Sequence, residues 1–195
     1  TEKDCYEIAS KEDWKALREL VNDGQTGVDA KLTQDVDLGE EILMLGYYLP
    51  NIYEGTFDGQ GHTLSFSWDA GDRREIAPFK NVKDATIRNL RTKGQITAGR
   101  FGFSGLICKA YGNNTISSCI SDVDINGAAD LAGMVKAVGD NSSVTFNDCV
   151  VKGTLNATNE NGIQDMGGFV YYQSDNATCI FNSCLYLGTN NAAGW

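Results

Sequence analysis

Asp58 and His62 stand four residues apart in Asp58-Gly59-Gln60-Gly61-His62, a carboxylate beside an imidazole, the residue types of general-base chemistry. His62 is the only histidine of the chain, so this pair has no second imidazole to work with. Two glycines within five residues describe a tight turn whose amides Asp58 is suited to cap, and that structural role is the expectation. Asp122-Val123-Asp124-Ile125-Asn126-Gly127 matches the opening of a calcium loop. The twelfth position is Gly133 rather than the required Glu, and Val123 and Ile125 alternate inward. The acids therefore face outward from a strand, and no metal site or cofactor is expected. Of six cysteines, Cys119, Cys149 and Cys184 recur in one inward column, occupied by Leu90 one repeat earlier. Stacked parallel Cβ vectors disfavour a disulfide, so buried free thiols are expected. The basic run Arg73, Arg74, Lys80, Lys83, Arg88, Arg91, Lys93 and Arg100 leaves residues 73–100 at a net +6 after Glu75 and Asp84, which reads as a solvated face or a surface for an anionic glycan. Sequons begin at Asn113, Asn141, Asn156 and Asn176 and read as products of composition.

The elements that position these residues follow from composition and periodicity. The chain has 195 residues and a formal charge of −10, which argues against nucleic acid or an anionic membrane as partner. No apolar run approaches the ~20 residues of a membrane-crossing helix, and no membrane insertion is expected. The chain opens at Thr1 with no leader pattern, from which an export signal already removed is expected. Gly is frequent at 22 residues while Pro numbers 2, a balance that suits many positive-φ turns and no rigid linker. Residues 11–22 carry Trp14, Leu17, Leu20 and Val21 on one helical face, with Ser10 as N-cap and Gly24 beyond the end. Strand-like runs follow at 30–38 and 55–66.

Internal repeats organise the remainder. Ser104-Gly105-Leu106-Ile107, Ala132-Gly133-Met134-Val135 and Gly167-Gly168-Phe169-Val170 share a small-Gly-apolar-apolar pattern, with Ala77-Pro78-Phe79 a degenerate fourth. Each precedes an apolar pair: Ile87/Leu90, Ile116/Cys119, Phe146/Cys149 and Phe181/Cys184, at steps of 29, 30 and 35 residues. In register with these, Lys93, Asp122 and Lys152 form a column of alternating charge, Gln95, Asp124 and Thr154 a polar one, and Ile96, Ile125 and Leu155 an apolar one. Repeated strand alternation at one register predicts a mainly β solenoid of parallel strands, about five to six coils long, with the N-terminal helix as its cap. The expected organisation is one module over 1–195: a helical cap over 1–24, first coils over 30–66 and four repeats over 77–190, cut from a longer protein. At the C-terminal end no matching lid is evident, and Tyr186 and Trp195 are candidates to cover the last coil.

Glu12-Asp13-Trp14, then 32–38, then Gly55-Thr56-Phe57-Asp58-Gly59-Gln60-Gly61-His62-Thr63-Leu64, then 85–90 and the Gly-apolar-apolar repeats follow in order. Together they resemble the β-helix region of bacterial surface proteins carrying GLUG-type repeats. The resemblance implies a right-handed parallel β-helix, an extracellular setting attached to the cell surface or secreted, and a role in adhesion or carbohydrate association. One departure is the fourth repeat residue, often Gly in that family and here Cys108, Lys136 and Tyr171.

The register places the loops 67–76, 97–104, 126–132 and 156–166 at one corner, and such a corner is often a binding face. It gathers Trp68, Arg73, Arg74, Arg100, Phe101, Asp130, Asn159 and Asp165 as candidate glycan ligands, with Phe103 and Asn161 beside them. Trp68 follows Phe66 by two residues, so alternation turns it inward; the strand ends at Asp69-Ala70-Gly71-Asp72, which would let it swing to the corner and stack on a sugar. The function expected is a non-catalytic, monomeric module that binds a glycan or a host or cell-surface protein. The alternatives are a β-helix polysaccharide lyase or hydrolase and a plain spacer. Against the enzyme, no column of the alignment stacks two acids in adjacent copies.

Overall fold

The computed structural model describes residues 5–159 and 165–192. The helix expected at the start is present as α1 (Lys11–Asn22), and its local cause is visible. Ser10 is extended and its Oγ accepts the Asp13 N–H at 3.1 Å, while Asp13 Oδ2 accepts the Ser10 hydroxyl at 2.8 Å and the Ala9 N–H at 3.0 Å. That reciprocal cap satisfies amides which have no partner within a first helical turn. Trp14, Leu17 and Val21 are buried, whereas Leu20, expected inward, is half-buried. Trp14 meets Phe57 and Phe79 edge-on at 5.6 and 5.8 Å and donates its indole N–H to the Leu43 carbonyl at 2.9 Å. The helix thus lies across the apolar interior of the first coils and removes it from water.

Beyond α1 the chain is a stack of short parallel strands, a β-solenoid, and the expected register holds. Ile116 pairs with Ile87 on one side and Phe146 on the other, and Phe146 with Phe181. Ile125 lies between Ile96 and Leu155, and Asp124 beside Gln95. Ile107 lies between Phe79 and Val135, and Val135 beside Val170, so the degenerate Ala77-Pro78-Phe79 copy is a true repeat. Among the described residues, four sheets of seven, four, eight and three strands wrap one continuous apolar core running from Ile8 to Ala177.

About four turns carry the full set of faces, fewer than the five to six coils expected. The seven-stranded sheet begins at Tyr6–Ile8, but the early coils do not supply every face. Between residues 39 and 54 the chain contributes only isolated bridges, Leu45 to Phe79 and Tyr53 to Val82, where later coils contribute strands.

Two local devices bend each coil. Between the members of each apolar pair one residue takes a left-handed conformation: Asn89, Ser118, Asp148 and Ser183, with φ of 52°, 51°, 52° and 53°. A single such residue turns the strand sharply enough that both apolar neighbours point inward, and Asn and Asp tolerate it best among non-glycines. At the next bend stands the repeat glycine. A Cβ on Gly133 would fall on the Gly168 carbonyl and on Val151 of the facing sheet, and one on Gly105 would fall on Ser121 Oγ and the Gly133 carbonyl. Only glycine allows successive coils to approach this closely.

The last coil exposes apolar side chains among the described residues. Phe181, Leu185 and Leu187 are exposed, and a depression of about 530 Å³ is lined by Phe169, Cys179, Phe181, Cys184 and Tyr186. Tyr186, one of the two expected covers, is half-buried there, while Trp195 lies outside the described residues.

Candidate functional site

Trp68 does not reach the corner. Its strand, Thr63–Gly71, continues through Asp69 and Ala70 paired to its neighbour, and the alternation is unbroken. Trp68 is 1% exposed and stacked on Phe66 at 4.2 Å with 22° between the rings. The strand runs on through Gly71, so the indole stays in the core and offers no face to a ligand. Phe103 is likewise buried.

The corner itself exists. Phe101 pairs with Ala129, Phe103 with Leu131, and Leu131 with Met166, so the loops from successive repeats do stack. The candidate residues on it separate into two groups. In the earlier coils, Arg100 Nε pairs with Asp72 Oδ1 at 3.3 Å, and the Arg74 guanidinium sits 5.6 Å over the Phe101 ring. Arg73 and Arg74 also line a groove of about 550 Å³ whose other walls the repeats do not supply. Arg18 comes from α1, and Ile42, Met44, Tyr47 and Tyr48 come from the irregular segment between the first coils. Tyr47 and Tyr48 are 39% and 55% exposed, packed edge to face at 4.7 Å, with Lys80 Nζ 5.3 Å over Tyr47.

These two tyrosines were missed in the sequence because 39–54 belongs to no repeat and shows no strand alternation. The signal present was Gly46-Tyr47-Tyr48-Leu49-Pro50, an aromatic pair and a leucine bracketed by turn residues, which no buried strand requires.

The second group lies further along the corner. Asp130 and Asp165 each precede a member of the paired Leu131 and Met166, so they stand side by side on adjacent coils. This corrects the expectation that no column stacks two acids. The intervening loop is five residues longer than in the preceding repeat, and a constant repeat length misaligns it. The Tyr171 hydroxyl donates to Asp165 Oδ2 at 3.3 Å and also bonds Asp130; burial and these two carboxylates push the phenol well above its ordinary range. Tyr171 continues a column through Lys80, Cys108 and Lys136, each one residue beyond a paired position. Asn159 donates its N–H to the Ala128 carbonyl at 3.2 Å, and Asn161 lies outside the described residues.

The remaining motif residues serve the fold. Asp58 accepts the Gln60 N–H at 2.9 Å, Asn89 Nδ2 at 3.0 Å and Arg88 Nε at 2.8 Å. Burial raises its pKa, but those three bonds outweigh it and hold the carboxyl below its usual range. His62 faces Asp35 at 3.4 Å instead. Asp122 takes its ion pair from Arg91 rather than from the stacked Lys93, Asp124 accepts the Thr154 N–H at 2.8 Å, and Asn126 joins an amide ladder with Asn156 at 2.7 Å. All three lie on one strand, Ile120–Gly127, with their side chains committed to neighbouring coils. The cysteine column is free and unbridged, with Cys119 and Cys149 buried.

Comparison with known proteins finds no matching family, no matching curated protein and no matching solved structure.

Proposed function

We propose that this protein is a non-catalytic binding module that recognises a polysaccharide through the groove between α1, the 42–48 segment and the Arg73-Arg74 corner. The observation that carries this reading is the pair of exposed tyrosines beside Arg73 and Arg74, which are exposed and have no carboxylate partner among the described residues. A tyrosine ring offers a flat apolar face to the C–H side of a sugar, and guanidinium groups donate to ring oxygens and hydroxyls. A rigid solenoid beneath keeps that arrangement preorganised, which lowers the cost of binding. The resemblance of the repeats to GLUG-type bacterial surface proteins supports an extracellular setting. Affinity electrophoresis and calorimetry against a polysaccharide panel test the reading. Tyr48→Ala is expected to weaken binding about tenfold or more with an unchanged Tm, since hot-spot aromatics commonly contribute ~2 kcal/mol. Retention unaffected by Tyr47→Ala and Tyr48→Ala together removes the groove as the site.

A second reading, a polysaccharide hydrolase, is favoured by the stacked Asp130 and Asp165 sharing the Tyr171 hydroxyl, because paired carboxylates are the machinery of glycoside cleavage. New reducing ends released from the same panel, and abolished by Asp130→Asn, would establish it in place of the first.

A further inference from the structure

Resting on the glycan-binding reading, we infer that the groove selects acidic sugars, those bearing a carboxylate, over neutral ones. The argument is one of charge placement. The chain as a whole carries −10, yet among the described residues the groove is lined by Arg18, Arg73 and Arg74 and by no carboxylate. The acids next in the chain to its lining residues are already engaged. Glu41 holds Lys11 and Lys15 at 3.1 and 2.7 Å, Glu75 holds Lys80 and Lys109 at 3.6 and 2.6 Å, Asp72 holds Arg100 at 3.3 Å, and Glu19 holds Arg18 at 3.1 Å. Arg73 and Arg74 have no carboxylate partner among the described residues, and both are exposed. Arg74 lies over the Phe101 ring, and Lys80, paired with Glu75, lies over Tyr47.

Two exposed guanidinium groups beside an aromatic pair are available to a ligand that brings negative charge. A guanidinium fork matches a carboxylate in two parallel hydrogen bonds, a geometry that a neutral hydroxyl does not reproduce. Concave placement also concentrates the positive potential where the sugar would lie, against the repulsion of the rest of the surface. The tyrosines then carry the part of the recognition common to all pyranoses, and the arginines carry the selection.

The test compares polygalacturonate with the same polymer after chemical reduction of its carboxyl groups, and adds dextran and dextran sulfate, measured by calorimetry on the full chain. Polygalacturonate is expected to bind at least about tenfold more tightly than its reduced form. That advantage should shrink as sodium chloride rises from about 50 to about 500 mM, because screening weakens exposed charge pairs. In the Arg73→Gln/Arg74→Gln variant the two forms should bind within about threefold of each other, with the Tm unchanged because neither side chain supports the core. Equal binding of native and reduced polymers overturns the selection for acids while leaving the glycan-binding reading intact. An acid preference that survives the double variant also overturns it, since the charge would then be read elsewhere. Preference for dextran sulfate with no gain for polygalacturonate replaces the carboxylate by a sulfate. Failure to bind any polymer overturns the glycan reading itself.

Discussion

At the residue scale, the same side-chain type takes opposite roles according to which way a strand points it. Trp68 is a core residue, and its substitution to Ala should cost ~3–5 kcal/mol, the range for deleting a buried aromatic. Thermal unfolding of Trp68→Ala should show a Tm lower by roughly 10 °C, with affinity for any bound polysaccharide changed less than about twofold. An unchanged Tm would contradict its burial. The thiols give a second expectation. Burial pushes Cys119 up to about 12 and Cys149 up to about 11, and Cys108, enclosed beneath the corner, up to about 12. A thiol that stays protonated and inaccessible is a poor nucleophile. Iodoacetamide at pH 8 should therefore label exposed Cys5 in the native protein and spare these three, as read by peptide mass mapping. Rapid native labelling of Cys119 or Cys149 would refute the closed column.

At the element scale, each coil depends on a bend that only certain residues can make. Gly133 is packed against the backbone of the next coil and against Val151, so Gly133→Ala must push two layers apart. Overpacking of this kind typically costs ~1–3 kcal/mol, and the midpoint of chemical denaturation should fall accordingly. Gly27 has open space around its α-carbon, so Gly27→Ala should leave the midpoint nearly unchanged. Equal midpoints for the two variants would show that the coils are less tightly stacked than described. The start of the helix illustrates the same locality: Ser10 and Asp13 cap α1 through bonds between residues three apart.

At the scale of the whole molecule, stability is tied to acids held in the charged form. Asp58 is fixed by Gln60, Asn89 and Arg88, and Glu75 by Lys109, Lys80 and Lys136; for both, burial acts upward but is outweighed, and the carboxyl is held below its usual range. A folded pKa below the unfolded one means that the unfolded chain takes up protons first as the solution is acidified. The stability these groups add is thus complete above the unfolded carboxylate value of about 4 and is lost as pH falls through their lower folded values. The Tm should decline between about pH 5 and about pH 2, and Asp58→Asn should make that decline shallower while lowering the Tm at neutral pH. A Tm that rises on acidification would contradict both pairings.

The repeats were legible from the sequence because a solenoid is quasi-one-dimensional: each coil meets only its neighbours, so the apolar columns through Ile87, Ile116, Phe146 and Phe181 are written at nearly constant spacing. Alternation alone also placed Trp68 inward, and the structure follows it. The helix and its cap were equally visible, since Ser10, Asp13 and the Trp14-Leu17-Val21 stripe interact within a few residues of one another. The groove was not legible. Its walls come from α1, from 42–48 and from 73–76, three segments with no common period, and their meeting depends on where the cap docks on the first coils. The adjacency of Asp130 and Asp165 was hidden for a related reason: the longer loop between them breaks the repeat count, and only strand pairing restores the register. Periodic sequence determined the stack, because stacking is local and repeated. The groove was decided by tertiary structure, because it is assembled from the parts of the chain that do not repeat.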